Sequence, residues 1–245
     1  MKKVFNLNYY KNHYMDLFLP DQEEFFVIIH FHGGGLVEGD KGDTHQFSEH
    51  LANAGFAVGT ANYSLYPNTK FPECLYDAAN AVKYLMDEAP KYGKVKGYII
   101  SGQSAGAWIT LMLCFNKEYL SSVGVLRENI VGFISDAAQT TSHFNILKIE
   151  QGINPWVQRI DETAPIYYVK EDVNFSHILL MCYEQDLPSR VEQNKLLVST
   201  IKNFNKEADV ELKVLKGYHC RGSSELDEDG EYETIKVIKE WVKRL

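Results

Sequence analysis

The sequence predicts an α/β fold with a mostly parallel, doubly wound sheet flanked by helices, and three observations support this. Short apolar runs alternate with amphipathic stretches along the 245 residues, which is typical of successive βαβ units. Several apolar runs end in glycines or acidic residues, as strands do where a loop begins at the carboxyl edge of a sheet. No repeat, low-complexity segment or linker rich in Pro, Gly or Ser interrupts the sequence. We therefore expect a single domain over residues 1–245.

The individual elements follow from local patterns. Helical spacing of apolar residues predicts amphipathic helices over 73–88, 190–204 and 231–245, and the almost wholly apolar stretch 105–115 predicts a buried helix. Because ligands bind at the carboxyl ends of parallel strands, the loops that follow the strands are expected to carry the functional residues. Apolar or alternating runs predict these strands at 25–31, 56–61, 97–100, 130–134, 178–183 and 210–215.

Composition argues against several classes of function. The formal net charge is −8, and an acidic surface repels phosphates and anionic headgroups, so we expect neither nucleic-acid nor membrane-surface binding. No apolar stretch approaches the roughly 20 residues of a membrane span. The four cysteines form no C-x-x-C pair and the eight histidines no H-E-x-x-H pattern, so no metal site is expected. The N-terminal lysines precede no apolar segment, and the cysteines suggest a reducing compartment, so we expect a cytoplasmic protein.

The segment from Gly102 to Gly106 reads Gly-Gln-Ser-Ala-Gly and matches the pattern G-x-S-x-G. A serine held on a sharp turn between a strand and a helix needs small neighbours on both sides. Alone, the pattern also fits a glycine-flanked turn with a serine at a helix N-terminus. The apolar strand before it and the apolar helix after it favour a nucleophile at Ser104.

A second glycine motif, His32-Gly33-Gly34-Gly35, directly follows the predicted strand 25–31. Three consecutive glycines lower the stability of a fold through their chain entropy, so they need a reason. One reason is the close approach of backbone N–H groups to a substrate oxygen, as in the HGGG loops of lipases and esterases. A flexible glycine turn is the alternative. The G-x-S-x-G motif further along the chain favours the oxyanion loop over that alternative.

The two motifs together resemble the α/β-hydrolase superfamily, and within it the carboxylesterases related to hormone-sensitive lipase and the BD-FAE group. Residues 14–20, 63–72 and 163–166 are similar to further segments of that group, with Ser64 where arginine is common. The resemblance covers nearly the whole chain and implies an α/β-hydrolase fold. It also implies an oxyanion hole formed by the backbone N–H groups of Gly34, Gly35 and Ala105, with Gly33 as a further candidate.

The acid of a hydrolase triad follows the serine in the chain and lies after a later strand. The predicted strand 178–183 is followed by Glu184 and Asp186, and the sequence pattern leaves both open. The resemblance favours Asp186, with Glu184 as the second choice. Three other aspartates are expected to be surface or capping residues: Asp136, Asp161 and Asp172.

The base of the triad must follow the acid, and His219 is the one histidine that does so. A neutral imidazole can take the proton of Ser104 and return it to the leaving group. Cys220 and Arg221 after this histidine depart from the small or apolar residue usual in the family. We expect the remaining histidines to be core or surface residues: His13, His30, His32, His45, His50, His143 and His177.

These residues predict a serine hydrolase that cleaves small carboxylic esters through an acyl-enzyme and without a cofactor. Short acyl, acetyl and hydroxycinnamoyl esters all fit as the small-molecule partner. An amidase, arylformamidase or peptidase would use the same triad, and a non-catalytic binding protein on this scaffold is a further alternative. Candidate substrate-binding residues are Leu36, Tyr63 and Trp108, although aromatic residues beside a motif often belong to the core. The segment 140–170 could form a short cap or a packed excursion.

Overall fold

A computed structural model describes residues 1–170 and 177–245 of the chain. Asp172, one of the aspartates considered above, lies outside these residues. In the described part of the chain, eight strands form one sheet. Their bounds are β1 Lys2–Tyr10, β2 His13–Leu19, β3 Glu24–Phe31, β4 Ala57–Ala61, β5 Lys94–Gln103, β6 Ile130–Asp136, β7 His177–Gln185 and β8 Val210–Tyr218.

The sheet has the strand order β1-β2-β4-β3-β5-β6-β7-β8. All pairs from β4 to β8 along this order are parallel, whereas β2 pairs antiparallel with both β1 and β4. The predicted mostly parallel sheet is therefore confirmed. β1 was not predicted as a strand, because most of its side chains are exposed or only partly buried and it contains no apolar run.

Helices pack on both faces of the sheet. Their bounds are α1 His45–Asn53, α2 Glu73–Glu88, α3 Ala105–Phe115, α4 Lys117–Ser122, α5 Phe144–Ile149, α6 Arg190–Phe204, α7 Arg221–Ser224 and α8 Glu233–Val242. The predictions for α2, α3 and α6 coincide with the structure, and that for α8 is a few residues too long at each end. The helices α4, α5 and α7 span at most six residues, too few for a helical period to stand out in the sequence.

Two apolar cores lie on opposite faces of the sheet, because successive strand side chains point to opposite sides. In β3, Val27 and Ile29 belong to the core that includes α2, α3 and α6. Ile28, between them, belongs to the core that includes α1 and α8. The central strands are buried on both faces, which explains why they read as apolar runs in the sequence.

The segment 140–170 contains α5 and a short 3₁₀ helix, Pro165–Tyr168. Its first residues are tied to α6, since the Thr140 hydroxyl donates to the carbonyl oxygen of Gln193 at 3.0 Å. Further along, the indole N–H of Trp108 in α3 donates to the carbonyl oxygen of Thr163 at 3.1 Å. These bonds join the segment to both helices, and a cap over the functional site stays a prediction.

No helix among the described residues is long and apolar enough to cross a membrane. In the same part of the chain, no three His, Cys, Asp or Glu side chains are grouped so that they could hold a metal ion. All four cysteines are free thiols and are buried.

Candidate active site

Ser104 occupies a tight turn between the end of β5 and the start of α3. Its backbone has φ 54° and ψ −111°, a conformation that non-glycine residues rarely adopt and that concentrates at functional sites. A Cβ atom built on Gly106 would lie 2.1 Å from the carbonyl oxygen of Phe31, and one on Gly102 would lie 2.2 Å from the carbonyl group of Gly106. Only glycine fits at either position, which is the physical reason for the G-x-S-x-G pattern.

The structure brings together Ser104, His219 and Asp186. Nε2 of His219 lies 2.9 Å from Oγ of Ser104, and Nδ1 lies 2.5 Å from Oδ1 of Asp186. Because a carboxylate only accepts hydrogen bonds, Nδ1 of His219 carries the proton and Nε2 is free to accept from the serine hydroxyl. The serine and histidine are 115 positions apart in the chain, and β5 and β8 place them side by side.

Asp186 is held as an acceptor in the turn after β7. The backbone N–H of Leu187 donates to its Oδ1 at 2.7 Å, and that of Tyr183 donates to its Oδ2 at 3.1 Å. The Asp186 side chain is only 1% exposed, against 23% for that of His219. The other sequence candidate, Glu184, is exposed and makes no hydrogen bond to His219 in the described residues.

The other aspartates considered in the sequence make different contacts from those of Asp186. Oδ1 of Asp161 accepts from the backbone N–H and hydroxyl of Thr163 two residues later, so it holds a turn and does not cap the helix that begins at Pro165. For Asp136 the expectation of a surface or capping residue is wrong. This residue ends β6, is 3% exposed, and accepts hydrogen bonds from the hydroxyls of Tyr183 and Ser223.

The three glycine carbonyls of the HGGG loop all accept hydrogen bonds, some from within the loop and others from Tyr63 and Asn145. Peptide groups are planar, with C=O and N–H pointing in opposite directions, so anchoring the carbonyl fixes the direction of the next N–H. The carbonyl of Gly33 accepts from Nδ1 of His32 (2.7 Å) and the hydroxyl of Tyr63 (3.3 Å). The carbonyl of Gly34 accepts from the N–H groups of Val37 and Glu38 (both 3.1 Å). The carbonyl of Gly35 accepts from the side-chain amide of Asn145 (2.7 Å).

The backbone N–H groups of Gly34, Gly35 and Ala105 make no hydrogen bond to another described residue. Gly34 and Gly35 have φ of 99° and 62°, values in the left-handed region that glycine adopts without strain. Gly33 lies against Ser104, because a Cβ atom on it would be 3.4 Å from Cβ of Ser104. Gly34 lines the same cavity as Ser104, and an oxyanion hole formed by these donors stays a prediction.

A cavity of about 450 Å³ opens at Ser104 and His219. Among the described residues, its wall carries the carboxylates of Glu38 and Asp43 and no lysine or arginine. The lining residues are Gly33, Gly34, Glu38, Gly39, Asp43, Gln103, Ser104, His219, Cys220 and Ser224.

The structure does not place Leu36, Tyr63 and Trp108 on the wall of this cavity. All three are buried in the core that includes α2 and α3. Tyr63 supports the glycine loop from behind, since its hydroxyl donates to the carbonyl oxygen of His32 at 2.8 Å. Aromatic residues next to a motif thus belong to the packing beneath the site.

Burial keeps the other histidines around the site neutral. It lowers the pKa of both His30 and His143 to about 3 and lowers that of His32. His30 is hydrogen-bonded to Ser101, and none of the three is hydrogen-bonded to Ser104 in the described residues. In the described residues, His219 is the histidine in contact with Ser104.

The family model of the BD-FAE family matches residues 15–155, more than half of the chain. The chain belongs to the BD-FAE family. The matched residues include the HGGG loop and the G-x-S-x-G turn, whereas Asp186 and His219 lie beyond them.

Two proteins of known activity are similar to this BD-FAE member over part of their length. Esterase LipI of Mycobacterium tuberculosis is 35% identical over 97 residues, which are 38% of this chain and 30% of that esterase. An arylesterase of Saccharolobus solfataricus is 35% identical over 82 residues, which are 33% of this chain and 27% of that enzyme. The aligned parts thus span less than a third of either relative.

Solved structures of esterases share the fold of this BD-FAE member over nearly its whole length. Esterase B from Lactobacillus rhamnosis gives a TM-score of 0.80 at 15% identity and covers 99% of this chain and 85% of its own. Thermogutta terrifontis esterase 2, solved after phosphoramylation by tabun, also gives 0.80, at 16% identity, and covers 99% and 94%. The predicted α/β-hydrolase fold is confirmed by this likeness.

Sequence reasoning missed three polar residues that surround the site in this BD-FAE member. The side-chain amide of Asn145 donates to the carbonyl of Gly35. Asp136, the last residue of β6, is buried against α7. Arg190, buried at the start of α6, donates from Nη1 to the carbonyl oxygen of Ala137 at 3.1 Å. Burial lowers the pKa of Arg190, against the opposing charge of Asp186. No local pattern distinguishes these residues from ordinary polar loop residues.

Proposed function

We propose that the chain is a serine carboxylesterase acting on small esters, with Ser104 as nucleophile, His219 as general base and Asp186 as the acid that orients the base. The observation that carries the proposal is the continuous hydrogen-bonded series from Asp186 through His219 to Ser104. Gly34, whose backbone N–H has no partner in the described residues, lines the same cavity as Ser104 and His219. Membership of the BD-FAE family and the esterase relatives support the same class of reaction.

The reaction begins when Oγ of Ser104 attacks the ester carbonyl carbon and its proton passes to Nε2 of His219. The Asp186 carboxylate stabilises the imidazolium that forms, through the hydrogen bond at Nδ1. The negative charge on the carbonyl oxygen is stabilised by N–H groups of Gly34, Gly35 and Ala105. Removing one such donor typically costs about 3 kcal/mol of transition-state stabilisation.

The imidazolium of His219 then protonates the leaving alcohol, and the acyl group stays on Ser104. Water then attacks the acyl-enzyme, with His219 again as base. This step releases the carboxylic acid product and restores the hydroxyl of Ser104. Every step uses side chains and backbone groups of the chain itself, so we propose a mechanism without a cofactor.

The cavity favours a small substrate. Its volume of about 450 Å³ lies within the range of small-molecule sites, and its wall is built largely of glycines and short polar side chains. We propose short acyl and acetyl esters as the first substrates to test, followed by hydroxycinnamoyl esters.

The test is hydrolysis of p-nitrophenyl acetate, butyrate and octanoate by the wild type and by Ser104→Ala. We expect turnover of the short esters and a loss of at least about 10⁴-fold in kcat for the variant. Ser121→Ala is the matched control, because this serine lies exposed in α4 and its hydroxyl only bonds the carbonyl of Glu118.

Equal ester hydrolysis by the wild type and Ser104→Ala would show that Ser104 is not the nucleophile. If the wild type hydrolyses none of the three esters, formamide and peptide substrates are tested with the same two proteins. Hydrolysis of these substrates by the wild type but not by Ser104→Ala would indicate an amidase or peptidase. A fluorophosphonate that labels Ser104 would show that the serine is reactive, whereas no labelling would overturn the catalytic role.

A further inference from the structure

Asp136 connects the nucleophile with the segment that follows the base. It is the last residue of β6 and is buried beneath the site. Its main chain contacts the turn of Ser104, and its side chain contacts α7, which begins two residues after His219.

The main-chain contact fixes the nucleophile. The backbone N–H of Ser104 donates to the carbonyl oxygen of Asp136 at 2.8 Å. Ser104 has the unusual φ of 54°, and such a conformation persists only where its surroundings hold it in place. This hydrogen bond is one of the contacts that hold it.

The side-chain contacts fix the segment after the base. Oδ1 of Asp136 accepts from the hydroxyl of Tyr183 at 2.9 Å, and Oδ2 accepts from the hydroxyl of Ser223. The Tyr183 oxygen in turn accepts from the backbone N–H of Gly222 at 3.1 Å. One carboxylate therefore anchors two consecutive residues of α7, directly and through a tyrosine.

We propose that Asp136 is a positioning residue that sets the distance between Oγ of Ser104 and Nε2 of His219. This inference rests on the proposed function of the same site. The Asp136 carboxylate makes no hydrogen bond to the Ser104 hydroxyl or to the His219 ring in the described residues. It acts through the backbone of the serine turn and through α7.

The geometry explains why a planar group with two polar atoms is needed. Two donors from different elements meet at the two carboxylate oxygens. An asparagine could keep both bonds: its oxygen would accept from Tyr183, and its amide would donate to Ser223. The Ser223 hydroxyl would then turn its proton to the carbonyl oxygen of Cys220, 3.1 Å away. An alanine can keep neither bond.

The experiment compares Asp136→Ala and Asp136→Asn with the wild type in two assays. One is kcat and KM on p-nitrophenyl acetate, and the other is the rate at which a fluorophosphonate labels Ser104. We expect Asp136→Ala to lower kcat and the labelling rate about 10- to 100-fold, because misplacement of about 1 Å can have that effect. KM should change less than about threefold, and Asp136→Asn should restore both rates to within about threefold of the wild type.

Asp77→Asn is the matched control, since Asp77 is also a fully buried aspartate but bonds His13 and Ser64, which do not line the cavity. It should lower the melting temperature and leave kcat unchanged. If Asp136→Ala does not fold, Ser223→Ala carries the test, with an expected loss of about threefold to tenfold in the labelling rate.

Two results would overturn the inference. One is a folded Asp136→Ala, or Ser223→Ala, that labels Ser104 as fast as the wild type does. The other is an Asp136→Asn as slow as Asp136→Ala, since a role of the charge alone would then explain the loss. Failure of the proposed function is seen separately, as a wild type that hydrolyses no ester, and the labelling rate still decides the role of Asp136.

Discussion

The side-chain amide of Asn145 lies 2.7 Å from the carbonyl oxygen of Gly35 and joins α5 to the HGGG loop across 110 positions of the chain. A Cβ atom on Gly35 would lie 3.0 Å from the same amide nitrogen, so the two segments are in close contact. The orientation of the peptide that follows Gly35 depends on this contact.

We expect Asn145→Leu to lower kcat about tenfold, with KM little changed. A loosened glycine loop would lose stabilisation of the oxyanion in the transition state, whereas binding of the uncharged ester would change little. Steady-state kinetics on p-nitrophenyl acetate provide the measurement. Asn80→Leu is the control, since the amide of Asn80 bonds only the carbonyl of Tyr76 within α2. An unchanged kcat in Asn145→Leu would mean that the loop keeps its shape without the amide.

The choice between the two acids after β7 can be tested by a pair of amide variants. Asp186→Asn should lower kcat about 10³- to 10⁴-fold, because an asparagine no longer holds the proton on Nδ1 of His219. Glu184→Gln should have the activity of the wild type, since Glu184 is exposed and does not contact the histidine. The reverse ranking of the two variants would assign the acid to Glu184.

The stability of the fold should depend on the ionisation of Asp136. Burial raises the pKa of Asp136 to about 6, although the hydroxyls of Ser223 and Tyr183 and the charge of His219 lower it, and Asp186 adds to the rise. The pKa of an aspartate in an unfolded chain is about 3.9. Between these values the folded state binds more protons than the unfolded state, so the free energy of unfolding falls as the pH rises from about 4 through about 6.

The measurement is urea unfolding of the wild type and Asp136→Asn between about pH 4 and pH 8. The variant does not titrate at this position, so its free energy of unfolding relative to the wild type should rise with pH, by about 3 kcal/mol at most. Groups that do not interact with Asp136 cancel in the difference. A difference that stays constant over this range would show that Asp136 keeps an ordinary pKa.

The cavity wall should favour esters with a cationic alcohol group. Glu38 and Asp43 line it without a lysine or arginine among the lining residues. A charge pair at about 4 Å in water contributes about 1 kcal/mol. The preference is measured as kcat/KM for acetylcholine divided by kcat/KM for its neutral isostere dimethylbutyl acetate. We therefore expect Glu38→Gln to reduce this ratio by about fivefold at low salt, and by less at high salt.

Glu207→Gln, an exposed carboxylate in the loop before β8, is the control for net charge and should leave this ratio unchanged. A ratio in Glu38→Gln equal to that of the wild type at low salt would exclude a role of Glu38 in selecting the alcohol.

The parts of the site that could be predicted from the sequence depend on local backbone geometry. Gly102 and Gly106 are required by contacts within one turn and one neighbouring strand, so their spacing is visible in the sequence. Chain order then identified His219 as the histidine to expect beside Ser104. The choice of Asp186 over Glu184 needed the family resemblance, because both residues follow the same strand.

The rest depends on contacts between distant segments, which one sequence does not display. Asn145 and Asp136 look like ordinary polar residues at the start of a helix and the end of a strand until the sheet places them beside Gly35 and α7. Trp108, a candidate for substrate binding, has its ring in the core instead, because α3 is buried on all sides.

Ser104, Asp186 and His219 follow three different strands. His219 comes directly after β8, which pairs at the edge of the sheet beside β7. A partly folded chain in which β8 has not yet paired can therefore form its apolar cores around β3 and β5 and still have no base near the serine. During refolding, the recovery of reactivity at Ser104 should follow the completion of the last strand pair, later than the recovery of helical signal. The serine would thus stay unreactive until the sheet around it is complete.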